Sequence, residues 1–128
     1  MKHDYKKYRP EATDLECAVY AKMCALDEAR NGMGVIATYG GCVFAVRELE
    51  AGNMRGFLGY LKHVMDETHM CIEYRESTET IADALRIFCE LCFVDPMLIE
   101  AALGYSFEAM ERDYYRGINY RLALDFNY

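Results

Sequence analysis

The sequence contains no tryptophan and only two prolines, Pro10 and Pro96, among its 128 residues. Because proline breaks helix interiors, this scarcity leaves long stretches of the chain free to form helices. The sequence also has no apolar run of the roughly 18 residues that a membrane span requires. Its start, MKHDYKKYRPEATD, is polar and has no apolar segment typical of a secretion signal, so we expect a cytoplasmic protein with no membrane contact.

Basic residues are in short supply as well. Fourteen Lys and Arg face 21 Asp and Glu, which gives a formal net charge of −7. Four of the basic residues lie within residues 1–10, so residues 11–128 hold 10 basic and 20 acidic side chains. Nucleic acids bind proteins through Lys and Arg that replace phosphate counterions, so this balance makes a nucleic-acid partner unfavourable. It favours a partner protein with a basic surface.

The rest of the composition is that of a folded chain. Hydrophobic residues make up 53% and charged residues 27%, which excludes disorder of the whole chain. The length suits one domain. We therefore expect a loose basic N-terminal arm at residues 1–12 and a single helical domain at residues 13–128.

Helical spacing of apolar residues recurs along the chain and predicts a mainly α fold, a compact bundle of about five or six helices. Residues that can cap a helix precede these segments. In chain order they are Thr13 in a capping box with Glu16, Asn53, Ser77 or Thr78, Asp95 before Pro96, and Ser106. Gly104 is a stop signal for the helix that starts at Pro96.

The apolar stripes predict which helix faces are buried. In the first helix, expected over residues 14–30, the stripe consists of Leu15, Val19, Met23 and Leu26. In the helix expected over residues 79–93, it consists of Ile81, Leu85, Phe88 and Cys92. The opposite face of this second helix then presents Glu79, Asp83, Arg86 and Glu90 to solvent.

Two segments leave a strand alternative open. Residues 35–47 can form a hairpin about the Gly40-Gly41 pair, although the run from Cys42 to Ala51 contains good helix formers and favours a helix. Residues 70–74 alternate in hydrophobicity as a short strand does. An α+β fold with these two elements is therefore the alternative to the helical bundle.

Residues 96–121 resemble a helix-turn-helix unit, with a helix ending in Ala-Leu-Gly, a short turn and a second helix capped by Ser106. This resemblance implies a DNA-binding regulator and is the second functional hypothesis. Glu100 departs from it, because a small residue usually occupies that position. Glu108 and Glu111 lie in the first turn of the helix that would contact DNA, where carboxylates repel phosphate.

The six cysteines raise the question of metal binding or catalysis. Cys89 and Cys92 have C-x-x-C spacing, and His69 and Cys71 lie upstream, a set of ligand types that suits zinc. The pair lies in an apolar helix interior, however, so we predict core thiols with no disulfide, no metal and no cofactor. Cys71 with His63 or His69, or the carboxylates near residue 80, support a third hypothesis, a small thiol or carboxylate enzyme.

Eleven tyrosines are a high count, and tyrosine suits protein interfaces because it offers contact area with a polar tip. Together with the acidic helix faces, they predict a non-enzymatic module that binds a basic surface of another protein. The predicted contact residues are Glu79, Asp83, Glu90, Tyr105, Glu108, Glu111 and Tyr115. Small size and negative charge are compatible with a viral or mobile-element inhibitor of the anti-CRISPR or another counter-defence type.

Overall fold

The computed structural model describes residues 4–75 and 79–117. Within these ranges the chain forms seven α-helices and a short 3-10 turn, with no strand. The helices are α1 (Asp14–Ala29), α2 (Val35–Tyr39), α3 (Cys42–Glu50), α4 (Met54–Glu73), α5 (Ile81–Leu91), α6 (Pro96–Leu103) and α7 (Phe107–Tyr115). Six of them have eight residues or more, so the predicted mainly α bundle is confirmed.

Both strand alternatives are wrong. Residues 35–47 form α2 and the first part of α3, which ends at Glu50. Gly52 follows with a φ of 75°, a left-handed conformation that glycine adopts easily because it has no Cβ. Between α2 and α3, a Cβ on Gly40 would clash with the carbonyl oxygen of Ile36, so the turn there depends on glycine. Residues 70–74 continue α4 and its C-terminal cap, because nothing breaks the helical run before them.

Local capping signals account for most of the helix starts. Four predicted cap residues accept a hydrogen bond from a backbone N–H two or three residues later: Thr13, Asn53, Asp95 and Ser106. The exception is α5, where Thr80 accepts from the backbone N–H of Asp83 at 3.1 Å. This helix therefore begins at Ile81 and not at Glu79, and the expected caps Ser77 and Thr78 lie outside the described residues.

The core lies where α4 packs against α3 and α5, with α1 on α3 and α7 on α5. Phe57 of α4 stacks on Phe88 of α5 with ring centroids 5.5 Å apart. The predicted α5 stripe is buried as expected, and it comprises Ile81, Leu85, Phe88 and Cys92. The burial of this stripe turns the opposite face of α5 towards solvent.

The first helix departs from its predicted stripe at one turn. Val19 and Met23 are buried as expected, but Leu15 is 36% exposed whereas Glu16 is only 5% exposed. The reason is an ion pair across the α1–α3 contact, in which Arg47 Nη2 lies 3.1 Å from Glu16 Oε1. A distant cation therefore overrides the local hydrophobic pattern.

The described part of the expected N-terminal arm, residues 4–12, packs against α1. The ring of Tyr5 is buried and stacks on Tyr20 with centroids 4.7 Å apart, and Ala12 is also buried. These apolar contacts hold the described part of the basic segment against α1.

Candidate functional site

An acidic cluster forms where α5, α6 and α7 meet, and Arg86 lies at its centre. Its Nη1 is 3.9 Å from Asp83 Oδ1, and its Nη2 is 3.8 Å from Glu100 Oε2 and donates a hydrogen bond to Glu108. We call these four residues the Arg86 cluster. With three carboxylates and one guanidinium, it keeps an excess of negative charge.

The helices place these side chains for local reasons. Asp83 and Arg86 are three residues apart on the solvent face of α5, because the opposite face is buried against α4. Glu108 lies in the first turn of α7, which starts at the cap Ser106. The negative side chain is favourable there because it faces the positive end of the helix dipole.

The ion pair between Arg86 and Glu108 favours the charged form of both side chains. The hydrogen bond with Glu108 is the main cause that raises the pKa of Arg86, and the other carboxylates add to it, while partial burial works against it. The same bond is the first cause that lowers the pKa of Glu108. The side chains of Asp83 and Glu108 are 60% and 61% exposed, so both carboxylates can be reached by a partner.

Glu100 also fixes the turn between α6 and α7. Its Oε2 accepts a hydrogen bond from the backbone N–H of Phe107 at 2.8 Å, beside the cap provided by Ser106. Gly104, with a φ of 68°, ends α6 as predicted. The residue that departs from the helix-turn-helix pattern thus stabilises a helical hairpin, and residues 118–121 of that resemblance lie outside the described residues.

Two predicted contact residues are engaged inside the molecule. Glu111 Oε2 accepts a hydrogen bond from the backbone N–H of Ala82 at 3.2 Å, which holds α7 at the start of α5. The hydroxyl of Tyr105 donates to Asp113, and this bond is the first cause that lowers the pKa of that carboxyl. Both side chains are half-buried, so they serve contacts within the molecule more than they present a surface.

The prediction that Glu79 lies on the outer face of α5 is wrong. Its side chain is 16% exposed and pairs with the guanidinium of Arg30, while its Oε2 accepts a hydrogen bond from the Tyr39 hydroxyl at 2.8 Å. Because α5 begins two residues later, Glu79 precedes the helix and turns inward. It connects the end of α1 and the end of α2 to the start of α5.

The remaining predicted residues are exposed and lie outside the Arg86 cluster. Glu90 lies one turn after Arg86, about 6 Å further along α5, and its carbonyl oxygen accepts a hydrogen bond from Lys22 at 2.9 Å. Tyr115 packs edge-on against His69 of α4, with centroids 5.7 Å apart. Of the seven predicted residues, the structure thus brings Asp83 and Glu108 together around one cation.

The sequence pattern predicted Arg86 on a solvent face but not its position at the centre of three carboxylates. One signal was present, because residues 87–111 contain five carboxylates and no Lys, Arg or His. Arg86 is the last cation before this stretch and so the natural local partner for its charges. The contact of Glu100 with Arg86 needed the tertiary structure, because the two residues lie on different helices.

Four of the six cysteines are buried, whereas Cys17 and Cys24 are half-buried. Burial is the main cause that raises the pKa of Cys89 to about 12 and that also raises the pKa of Cys92. Cys71 is buried with its sulfur 3.7 Å from the Thr38 hydroxyl. Metal binding and nucleophilic attack both require a thiolate, which burial disfavours at Cys89 and Cys92. Within the described ranges, no group of three or more His, Cys, Asp and Glu is placed to hold a metal ion.

A groove lies on α4 beside the start of α3. Its volume is about 460 Å³, and it is lined by Gly41, Gly56, Gly59, Tyr60 and His63. His63, one of the histidines considered as a partner for Cys71, lines this groove, whereas Cys71 lies in the core. The groove wall has one ionisable imidazole and no carboxylate, so its chemistry differs from that of the Arg86 cluster.

Comparisons with known proteins found no match to this chain among protein-family models, curated proteins or solved structures. Among the helices in residues 4–75 and 79–117, none combines the length and the hydropathy needed to cross a membrane. On the described surface, the Arg86 cluster has a clear chemical preference, because its excess of carboxylates favours a cationic partner.

Proposed function

We propose that this chain is a non-enzymatic binding module that docks onto a basic surface of another protein. The observation that supports this proposal is the stoichiometry of the Arg86 cluster, with three carboxylates around one guanidinium. The exposed carboxylates of Asp83 and Glu108 would pair with Lys or Arg of the partner. Such pairs favour encounter and register as well as affinity.

The charge of the wider region supports the same proposal. Residues 87–111 carry five carboxylates and no basic side chain, within a chain of net charge −7. A field of one sign attracts an oppositely charged protein over several ångströms and raises the association rate. All six cysteines are free, which supports a reducing compartment such as the cytoplasm.

Surfaces that hold nucleic-acid phosphates are basic, so they are a natural target for an acidic module of this size. An inhibitor that covers such a surface, including one of the anti-CRISPR or another counter-defence type, is the functional class that this proposal favours. The target surface would be recognised by clustered Lys and Arg side chains and not by a nucleic-acid sequence.

A matched pair of charge reversals tests the proposal. Asp83→Lys changes the Arg86 cluster, whereas Asp14→Lys changes an exposed carboxylate in the first turn of α1. Both variants alter net charge equally and both lose a favourable contact with a helix dipole. Proteins captured from a candidate host lysate are identified by mass spectrometry, purified, and measured for association rate at several salt concentrations.

We expect wild type and Asp14→Lys to bind one common basic protein, and Asp83→Lys to associate about tenfold more slowly. Added salt should slow association of the wild type, because counterions screen the approach of opposite charges. An equal loss of association rate in both variants would show that net charge alone, and not the Arg86 cluster, determines the rate. No loss in either would exclude the Arg86 cluster as the interface, and circular dichroism confirms that each variant is folded.

A further inference from the structure

Helix α6 exposes most of its apolar surface. Of its eight residues, only Ile99 is buried, while Met97 and Leu98 are 73% and 65% exposed. Ala101 and Ala102, one turn later, are exposed as well. Positions i, i+1, i+4 and i+5 share one side of a helix, so these four residues form a single surface. We call it the α6 face.

Single exposed apolar side chains are ordinary on protein surfaces, but a contiguous set of them indicates an interaction site. Apart from Glu100, α6 has no charged residue that would keep the helix in water. Phe93 is a further exposed apolar side chain in the turn before α6, with Lys22 Nζ 4.5 Å from its ring centroid. Among residues 4–75 and 79–117, these apolar side chains thus remain uncovered at this end of the bundle.

The charges around the α6 face indicate what covers it. Asp95 is exposed at the start of α6, and Glu90 is exposed on the last turn of α5. Glu100 of α6 contacts Arg86 and so places the Arg86 cluster beside this helix. A second copy would bring like charges together around the same surface, which is unfavourable. A partner helix with an apolar stripe and basic flanks would complement both the apolar centre and its acidic surroundings.

We propose that the α6 face is the apolar centre of the interface and that the partner contributes a basic amphipathic helix. Its apolar side chains cover Met97 and Leu98, and its Lys or Arg residues meet Asp95, Glu90 and the Arg86 cluster. This inference rests on the proposed function and adds to it the kind of partner element. It also accounts for affinity beyond the charge pairs, because covering Met97 and Leu98 removes apolar surface from water.

The experiment uses a defined probe, a fluorescent amphipathic helical peptide made of Leu and Lys. There are two control peptides. One has the same composition in scrambled order, and the other has Glu in place of every Lys. The test variant is the double substitution Met97→Gln and Leu98→Gln. The matched control is Met33→Gln and Ile36→Gln, which changes two similarly exposed apolar side chains at the start of α2. Fluorescence anisotropy gives the Kd for each combination of protein variant and peptide.

We expect wild type to prefer the amphipathic Leu–Lys peptide over both controls, and the α6 variant to bind it about tenfold more weakly. The α2 variant should stay within about twofold of wild type. Equal affinity for the scrambled peptide, or equal loss in both double variants, would overturn the inference. If Asp83→Lys weakens binding and the α6 variant does not, the proposed function stands and this inference fails.

The other possible occupants give separate outcomes. Analytical ultracentrifugation showing a dimer that the α6 variant abolishes would assign the face to a second copy. Binding of wild type, but not of the α6 variant, to neutral lipid vesicles would assign it to a membrane. Slow oxidation of Met97 by hydrogen peroxide in the free full chain would show that the chain covers its own α6 face. Each of these results overturns the inference, and circular dichroism checks that both double variants fold.

Discussion

Two arginines organise carboxylates in this molecule with opposite results. Arg47 pairs with Glu16, which is buried between α1 and α3. Arg86 faces three carboxylates at the junction of α5, α6 and α7, and two of them are largely exposed. The residue types are the same, so burial and stoichiometry decide whether an ion pair holds helices together or leaves charge for a partner.

The surroundings of Glu16 show what burial demands. Burial works against its ionisation, yet hydrogen bonds with Glu50, Arg47 and Thr13 keep the pKa of Glu16 below its ordinary value. The Thr13 hydroxyl lies 3.2 Å from Glu16 Oε2 and 2.7 Å from Glu50 Oε2. For Glu50, burial is the first cause that raises its pKa, and the neighbouring Glu16 adds to it.

The largest expected difference between the two arginines is in stability. Arg47→Met leaves Glu16 buried without its cation and should lower the free energy of unfolding by about 2 to 3 kcal/mol. Arg86→Met removes a guanidinium whose partners Asp83 and Glu108 are largely exposed and stay solvated without it, so it should cost less than about 1 kcal/mol. Urea denaturation of both variants measures this difference. Equal losses would show that the buried pair contributes no more than the exposed one.

A second expected difference separates Glu79 from Asp83, which the sequence placed on one face. Glu79→Ala removes the acceptor of the buried Tyr39 hydroxyl and should cost about 2 kcal/mol. Asp83→Ala removes an exposed carboxylate and should change stability by about 0.5 kcal/mol. Thermal unfolding compares the two, and Tyr39→Phe in the Glu79→Ala background should recover part of the loss. The absence of any recovery would assign the loss to Arg30 alone.

A smaller effect concerns pH. Because the fold lowers the pKa of Glu16 below 4.5, its charge stabilises the folded state above that pH. This contribution is lost as pH falls through the folded-state pKa. The free energy of unfolding of wild type should therefore exceed that of Glu16→Gln by about 1 kcal/mol near neutral pH, and this difference should disappear in acid. A difference that stays constant from neutral pH to about pH 3 would contradict this assignment.

The smallest expected effect is on nucleic acid. Glu108 lies in the first turn of α7, where a recognition helix would contact bases and phosphates, so duplex DNA should bind weakly and without sequence preference. Fluorescence anisotropy with duplexes of several sequences at physiological salt measures this. Nanomolar, sequence-selective binding would favour the helix-turn-helix regulator over the protein-binding module.

Elements defined by neighbouring residues were predictable. Asp95 before Pro96 starts α6, Gly104 ends it and Ser106 starts α7, because capping acts over two or three residues. The stripe of α5 was equally local, and it correctly placed Asp83 on a solvent face. Such signals give helices and their faces before any tertiary contact is known.

Side chains whose partners are distant in sequence could not be placed. Glu16 is buried because Arg47, 31 residues away, reaches it. Glu79 turns inward because Tyr39, 40 residues away, donates to it. Charged residues are usually solvated, so a local reading assigns both to the surface. The apolar α6 face was missed for the opposite reason, since apolar residues at helical spacing usually mark a buried side.

The buried thiols make the opening of individual helices measurable by chemistry. Cys42, Cys71 and Cys89 are buried on α3, α4 and α5, so an alkylating reagent reaches each one only when its own part of the bundle opens. The rate of modification at each cysteine, read by mass spectrometry, then reports the free energy of that opening. The native sequence thus supplies three internal probes of local opening. If a partner covers α6, the change in the modification rate at each cysteine shows which helices open less often in the complex.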